Sequence, residues 1–166
     1  MNASTEPRLF VTGQGPDGAT FMSDQPVAAI DLAGKSVQAR FLWGRDDIAT
    51  IPNAGEQPPL AGALPAPGGW RFSMLTIDAG ATREYHAFIV NAMGPLAEPD
   101  HPGFHTTPTL DLITMIDGEL VLELDRGEER LLRRGDSAIL HGVRHRWHNR
   151  GSRAATLVAV MFGANT

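Results

Sequence analysis

The feature that most constrains this chain is a series of short apolar segments, each ended by a turn, that fills its C-terminal half. From residue 109 onward these segments recur at intervals of roughly ten residues, a spacing typical of sandwiches and barrels rather than of alternating strand–helix units. Turn pairs such as Asp117-Gly118 and Gly135-Asp136 separate them. The predicted strands cover residues 109–116, 119–125, 129–133, 137–141, 145–149 and 155–162.

The N-terminal half predicts fewer and more widely spaced elements. Residues 51–69 are rich in Pro, Gly and Ala and lack periodicity, so we expect a long loop that lies across the surface or towards a partner subunit. A short helix is predicted over residues 84–93, ended by Gly94-Pro95, because five apolar side chains recur there at helical spacing. These five are Tyr85, Phe88, Ile89, Ala92 and Met93. Further strands are predicted at residues 8–12, 20–23, 37–43 and 70–78.

Composition excludes several classes of function. The chain has 166 residues, a length typical of one domain, and no Cys, so disulfides and thiolate chemistry are absent. Lys35 is the single lysine, which disfavours a Schiff-base or phosphate-binding lysine. A net charge of −5 argues against nucleic acid as a partner. Because no apolar run approaches the ~18 residues of a membrane span, we expect a soluble, cytoplasmic protein without a membrane partner.

The six histidines all fall between residues 86 and 148. Strand periodicity places His145, Trp147 and Asn149 on one face of their strand, and Arg144 and Arg146 on the other. Since the arginines favour water, the His145 face is expected to point inward. We expect solvated or capping roles for His86, His141 and His148.

The segment from Gly135 to Asn149 resembles the second motif of the cupin superfamily: a Gly-Asp turn, an apolar strand, a Gly turn, then His145 and, four residues on, Asn149. The first motif of that family has its counterpart upstream. His105 occupies the place of its first His, Thr107 that of its second His, and Asp111 that of its Glu.

This resemblance implies an all-β fold, the double-stranded β-helix or cupin jelly-roll barrel, with an N-terminal strand extension and one short helix near 84–93. Residues 70–166 would form the barrel. Residues 1–69 would supply strands and the Pro/Gly-rich loop, packed on the barrel or on a dimer partner. One structural domain is expected overall, and a homodimer is expected because the N-terminal strands lack partners within one barrel.

The resemblance also implies a site in the barrel mouth. His105, His145 and Asp111 would bind a divalent metal, Fe, Mn, Ni or Zn, and carry catalysis, with His101 as an additional candidate ligand; two imidazoles and a carboxylate suit such ions. Six residues of straight strand span about 20 Å, so the chain must bend between His105 and Asp111, and Thr107-Pro108 is the expected place. The expected substrate pocket is lined by Thr107, Met115 and Trp147.

Three functions remain open at this point. The first is a metal-dependent oxygenase, decarboxylase, isomerase or dehydratase that acts on a small organic molecule. A metal-free barrel is the second; it would either bind a small molecule without catalysis or use His105 and Asp111 as an acid–base pair. The third is a structural subunit whose interior is filled by Met115, Trp147 and Phe162.

Overall fold

The computed structural model describes residues 6–30 and 34–165, and most of the regular secondary structure in these ranges consists of antiparallel strands. One α-helix of twelve residues interrupts the strands before the C-terminal half begins. The elements are β1 (Arg8–Gly15), β2 (Gly18–Pro26), β3 (Val37–Arg45), β4 (Trp70–Ile77), α1 (Thr82–Met93), β5 (Thr109–Asp117), β6 (Glu119–Glu123), β7 (Glu129–Arg133), β8 (Ser137–His141), β9 (Arg146–His148) and β10 (Ala155–Gly163).

Two antiparallel sheets form the barrel. The large sheet has five strands in the order β3-β4-β10-β5-β8, and the small sheet has three in the order β7-β6-β9. Strands β1 and β2 form a separate hairpin. After residue 109 the chain passes from the large sheet (β5) to the small sheet (β6 and β7), back to the large sheet (β8), and again to the small (β9) and the large (β10). This winding is that of a jelly roll and confirms the expected all-β barrel with one short helix.

The Asp117-Gly118 turn carries the chain from the large sheet to the small one. Gly118 has a φ of +70°, and a Cβ atom there would lie 2.7 Å from the backbone of Ala155. Only glycine meets both demands, since it adopts positive φ without strain and has no side chain. The two sheets can therefore approach closely at this corner.

Some boundaries differ from those expected. The helix begins at Thr82, two residues before the expected start, and β6 ends at Glu123 because Asp125–Gly127 form a tight turn in which Arg126 has a φ of 59°. The loop over residues 51–69 contains neither helix nor strand, as expected. Strand β3 pairs with β4, so the large sheet includes a strand from the N-terminal segment.

A buried arginine holds that loop against the barrel. Arg71 on β4 is 1% exposed, and its guanidinium donates to the carboxylate of Asp46 at 2.6 Å and to the backbone carbonyls of Gly62 and Leu64. Asp46 in turn accepts a hydrogen bond from the backbone N–H of Ala61 at 2.7 Å. One charged pair thus fixes the backbone of residues 61–64, which has no regular structure of its own.

No helix in the described part of the chain is long and apolar enough to cross a membrane.

We predict that Arg71→Met destabilises the protein by about 1–3 kcal/mol, the cost of leaving a buried acceptor without its donor. Arg130→Met is the matched control, because Arg130 forms an exposed ion pair with Glu128, and such pairs contribute about 0–1 kcal/mol. Urea unfolding of both variants measures the difference. Equal effects of the two substitutions would contradict the anchoring role of Arg71.

Candidate metal and ligand site

The two imidazoles that the sequence singled out lie side by side. The backbone N–H of His105 donates to the carbonyl of His145, and the N–H of His145 donates to the carbonyl of His105, both at 3.1 Å. This reciprocal pair places residue 105 beside the start of β9, at the edge of the small sheet. The ring centroids are 4.3 Å apart.

The hydrogen bonds of each ring fix which nitrogen is free. The Nδ1 atom of His105 lies 3.1 Å from the carbonyl oxygen of Gly103, and that of His145 lies 2.9 Å from the carbonyl oxygen of Val143. A carbonyl oxygen only accepts, so Nδ1 carries the proton in both rings. The lone pair of each neutral ring is therefore on Nε2, the arrangement in which a histidine ligates a metal while its other nitrogen is held by a backbone carbonyl.

Both rings are held in the neutral form. Burial lowers the pKa of His105 below its usual value. Burial, together with the neighbouring His105 ring, lowers the pKa of His145 to about 4. At neutral pH neither ring carries a charge, so both Nε2 lone pairs are available to a metal or to a hydrogen-bond donor.

Asp111 reaches the same region from the opposite sheet. The chain leaves the small sheet after His105, bends through Thr107-Pro108 and enters the large sheet at Thr109, so the expected bend is present. Asp111 is 6% exposed, and its Oδ1 atom has no hydrogen-bond partner. Burial raises the pKa of this carboxyl, opposed by a hydrogen bond from Thr109 and by the charge of His145.

The ligand atoms of His105, His145 and Asp111 do not all lie within 4.8 Å of one another. The two imidazole rings are adjacent, and Asp111 interacts electrostatically with His145. His105 and His145 would hold a metal ion, and Asp111 would supply a carboxylate beside them. The donor set fits a borderline divalent ion with open coordination positions.

A cavity of about 320 Å³ adjoins these three residues. Its wall combines the inner face of the large sheet, the loop at residues 60–64 and one face of α1. Trp147 lines it, as expected. All five apolar residues that predicted the helix also line it, namely Tyr85, Phe88, Ile89, Ala92 and Met93. The cavity is therefore apolar along most of its length and polar where the histidines and Asp111 meet.

Two expected pocket residues lie elsewhere. Met115 is 1% exposed and packs in the core below the cavity, because its strand continues inward past Asp111 and Ile113. The hydroxyl of Thr107 hydrogen-bonds that of Thr109 at 2.7 Å and faces a second depression. The bend at Thr107-Pro108 turns Thr107 away from the cavity.

His101 and Phe162 also differ from expectation. His101 is 62% exposed in a turn, its Nδ1 lies 3.3 Å from Glu98, and it does not line the cavity with His105. Phe162 lies on the outer face of β10 and is 39% exposed, so it does not fill the interior. The presence of a cavity contradicts the hypothesis of a structural subunit whose interior is filled by side chains.

The structure adds one positioning contact that the sequence did not reveal. The backbone N–H of Gly103 donates to Nδ1 of His86 on α1 at 3.0 Å, while the carbonyl of Gly103 accepts from His105. His86 therefore ties the helix to the turn that orients His105. Nothing in the spacing of the two histidines signalled this, because the contact depends on how α1 packs against residues 101–104.

A second group of ligand-type side chains lies on the small sheet. Glu123, Glu129 and His148 bring their ligand atoms within 4.8 Å of one another. Their carboxylates are already engaged, since Arg146 donates to Glu123 at 2.8 Å and Arg150 forms two hydrogen bonds with Glu129. The pairing of β6 with β7 and β9 creates this group, and no sequence spacing predicts it.

Residues 95–161 match the family model of the Cupin domain. Among curated proteins, the chain is 47% identical over 53 residues to the Oryzines biosynthesis cluster protein J of Aspergillus oryzae, covering 30% of each chain. It is 33% identical over 75 residues to the Cupin-domain-containing oxidoreductase virC of Hypocrea virens, covering 45% of this chain and 34% of that one. The alignments thus span about a third of each relative.

Two solved structures illustrate the structural comparison. An RmlC-like cupin from Shewanella frigidimarina has a TM-score of 0.47 at 14% identity, covering 84% of this chain and 86% of that one. A Cupin 2 conserved barrel domain protein from Salinispora arenicola has a TM-score of 0.47 at 17% identity, covering 80% of each. Residues 95–161 of this chain are thus similar to the cupin domain, and the double-sheet barrel described above agrees with that similarity.

Proposed function

We propose that the chain binds one divalent metal ion through Nε2 of His105 and Nε2 of His145, and that it acts on a small organic molecule in the adjoining cavity. The observation that carries the proposal is the matched pair of imidazoles, each with Nδ1–H on a backbone carbonyl and Nε2 free. A purely structural role would not require both imidazole rings to be buried, neutral and part of the wall of one cavity.

Each residue has a role that follows from its position. His105 and His145 hold the ion, and the carbonyls of Gly103 and Val143 hold the rings in orientation. Asp111 is the proton carrier beside the ion, since its raised pKa and unpartnered Oδ1 let it give or take a proton from a bound molecule. The ion would supply Lewis-acid or redox chemistry at the polar end of the cavity.

Among the reactions open to such a site, oxidation of the bound molecule with dioxygen as the oxidant is the one we favour. The support is the 33% identity over 75 residues to a relative named as a Cupin-domain-containing oxidoreductase. The walls around the site are apolar, which suits an oxidation that must exclude bulk water from the reacting atoms.

One observation favours a second candidate, a metal-free barrel that binds a small molecule. His105, His145 and Asp111 do not form a group whose ligand atoms all lie within 4.8 Å of one another. In that case His105 and Asp111 would serve as hydrogen-bonding or acid–base groups for the ligand.

Metal titration separates the two candidates. We predict that the chelator-treated protein binds one equivalent of Fe(II), Mn, Ni or Zn, measured by isothermal titration and by elemental analysis after dialysis. His105→Ala and His145→Ala should each abolish this binding. Asp111→Asn should weaken it by about 10–100-fold, the usual effect of losing a residue that acts through a ligand or a bound water.

The control is His148→Ala, which removes the only imidazole of the group with Glu123 and Glu129. This variant should bind the metal as the parent does. Loss of binding in His148→Ala with retention in His145→Ala would assign the ion to the small-sheet group instead, and absence of binding in the parent would leave the metal-free barrel.

The neutral state of His145 predicts a pH dependence of stability in the metal-free protein. Its folded pKa of about 4 lies below its ordinary value of 6.5, so only the unfolded chain takes up this proton between those values. The contribution of His145 is thus fully present above pH 6.5 and is lost as the pH falls towards 4. Asp111, whose pKa is raised, acts in the opposite direction.

The measurement is the free energy of unfolding of parent and His145→Gln between pH 7.5 and 4. The decrease on acidification should be smaller in the variant, because glutamine does not titrate. His141→Gln, at an exposed position, should follow the parent curve. Parallel curves for parent and His145→Gln would contradict a buried neutral ring.

We propose further that the protein is a homodimer that pairs through the outer face of the large sheet. Leu112 and Ile139 are directly paired across β5 and β8, and Val160 and Phe72 continue the same row across β10 and β4. Ile139 is 60% exposed. An apolar row that crosses four strands is self-complementary under a twofold axis, which suits a second copy of this chain.

Light scattering tests this assembly. At micromolar concentration the parent should have the mass of a dimer, and Ile139→Lys should have that of a monomer, because the charge would be buried against the apolar row of the second copy. Leu131→Lys, at an exposed position on the small sheet, is the control and should remain dimeric. A monomeric parent would refute the proposal.

A further inference from the structure

Two consecutive residues of helix α1 hold Gly103 in place. The buried backbone N–H of Gly103 donates to Nδ1 of His86 at 3.0 Å. A Cβ atom on Gly103 would lie 3.3 Å from the ring of Tyr85, so the bare backbone packs directly against that ring. Gly103 also has a φ of +83°, which glycine adopts without strain. The helix therefore fixes both the place and the orientation of this residue.

The carbonyl group of the same glycine orients His105. Its oxygen accepts a hydrogen bond from Nδ1 of His105 at 3.1 Å. The carbonyl that orients His145 is that of Val143, which belongs to the separate segment before β9. A change in how Gly103 is held should therefore act on the ring of His105 and leave that of His145 in place.

The residues on either side of Gly103 are held by arginines of the β9 segment. The guanidinium carbons of Arg144 and Arg146 lie 3.7 and 4.5 Å from the centre of the Phe104 ring. Arg146 also donates to the carbonyl of Pro102 at 3.2 Å. These contacts leave the N–H of Gly103 to His86. Because a buried N–H is nearly always paired, the loss of this acceptor would drive Gly103 to reorient towards another one.

The hydrogen bonds also define the tautomers of the histidines. A nitrogen that accepts a hydrogen bond carries a lone pair, so Nδ1 of His86 is unprotonated and its proton is on Nε2. In His105 and His145 the proton is on Nδ1, because each Nδ1 donates to a carbonyl. The tautomer of His86 is thus the reverse of that of the two rings at the site.

We propose that His86 is a positioning residue of the candidate site. By holding Gly103, it fixes the ring orientation and the Nδ1–H tautomer of His105, and it keeps Nε2 of His105 available to a metal ion. The inference rests on the proposed function only in this last respect, that Nε2 of His105 binds a metal. The orientation and the tautomer exist without a metal and are measured in its absence.

Long-range ¹H–¹⁵N NMR of the full chain, with labelled histidine, at neutral pH and in the presence of a chelator, reports the tautomer of each ring. The parent should show Nδ1–H for His105 and His145 and Nε2–H for His86. His86→Phe removes the acceptor but keeps an aromatic ring. It should move the nitrogen shifts of His105 towards those of a mixture of tautomers and leave those of His145 unchanged. Unchanged shifts of His105 in folded His86→Phe would overturn the proposal.

A rescue variant separates the hydrogen bond from the packing of the ring. His86→Asn should keep the parent tautomer of His105, because Oδ1 of asparagine accepts at the same position along the side chain as Nδ1 of histidine. His101→Phe, at an exposed histidine of the same turn, is the matched control and should also behave as the parent. If His86→Asn shifts His105 as strongly as His86→Phe does, the hydrogen bond is not the cause and the proposal is wrong.

A measurement on the parent decides the contact even if His86→Phe does not fold. In uniformly ¹⁵N-labelled protein, the amide nitrogen of Gly103 and Nδ1 of His86 should show a scalar coupling across their hydrogen bond. Its detection would support the proposal. The absence of this coupling, with both resonances assigned, would overturn it.

Zinc titration connects the contact to the metal site. His86→Phe should bind Zn about 10-fold more weakly than the parent, the lower end of the effect of residues that orient a metal ligand, whereas His86→Asn and His101→Phe should bind as the parent does. Parental affinity in His86→Phe despite a shifted tautomer would overturn the role of His86 in metal binding. If the parent binds no Zn, the proposed metal site is wrong, and the NMR result alone decides whether His86 positions His105.

Discussion

The reciprocal backbone hydrogen bonds between His105 and His145 are the interaction on which the site depends. They join the segment that precedes the large sheet to the first residues of β9, and so bring together two side chains that are far apart in the sequence. In both segments the ring then bonds the carbonyl two residues earlier, that of Gly103 or of Val143. The backbone alone thus sets the position and the tautomer of both imidazoles.

The rest of the molecule closes the space in front of these rings. Helix α1 supplies one apolar face, and the loop at residues 60–64, held by Arg71 and Asp46, supplies another. The guanidinium of Arg71 is paired with Asp46 and with backbone carbonyls of that loop. The outcome is a mostly apolar chamber with its polar groups collected at one end, the arrangement that small-molecule sites commonly have.

Most of the barrel was predictable from the sequence, because alternating apolar and polar residues in the C-terminal half indicate strands rather than helices. His145 and Trp147 are buried while Arg144 and Arg146 lie on the outer face in ion pairs, as the two-residue period requires. The bend at Thr107-Pro108 was also predictable, since proline cannot continue a central strand. The five apolar residues of α1 were placed correctly by helical spacing.

Other features depend on contacts between distant elements. Met115 lies on the same inward face of β5 as Asp111, but it is further along the strand and packs in the core. Periodicity predicts the face of a strand on which a side chain lies, but not whether it lies beside a cavity or in the core. Thr107 lies at the bend itself, where side chains do not alternate between two faces as they do along a strand. The role of Arg71 depends on acceptors in a loop without periodicity, which only the packed structure brings within reach of its guanidinium.

X-ray absorption spectroscopy of the protein loaded with one equivalent of Zn or Fe(II) determines whether the two imidazoles bind the metal. We expect imidazole nitrogens at about 2.0–2.2 Å from the ion and their loss from the spectrum of a His105→Ala, His145→Ala double variant. A first shell without imidazole, or a spectrum unchanged in the double variant, would contradict it.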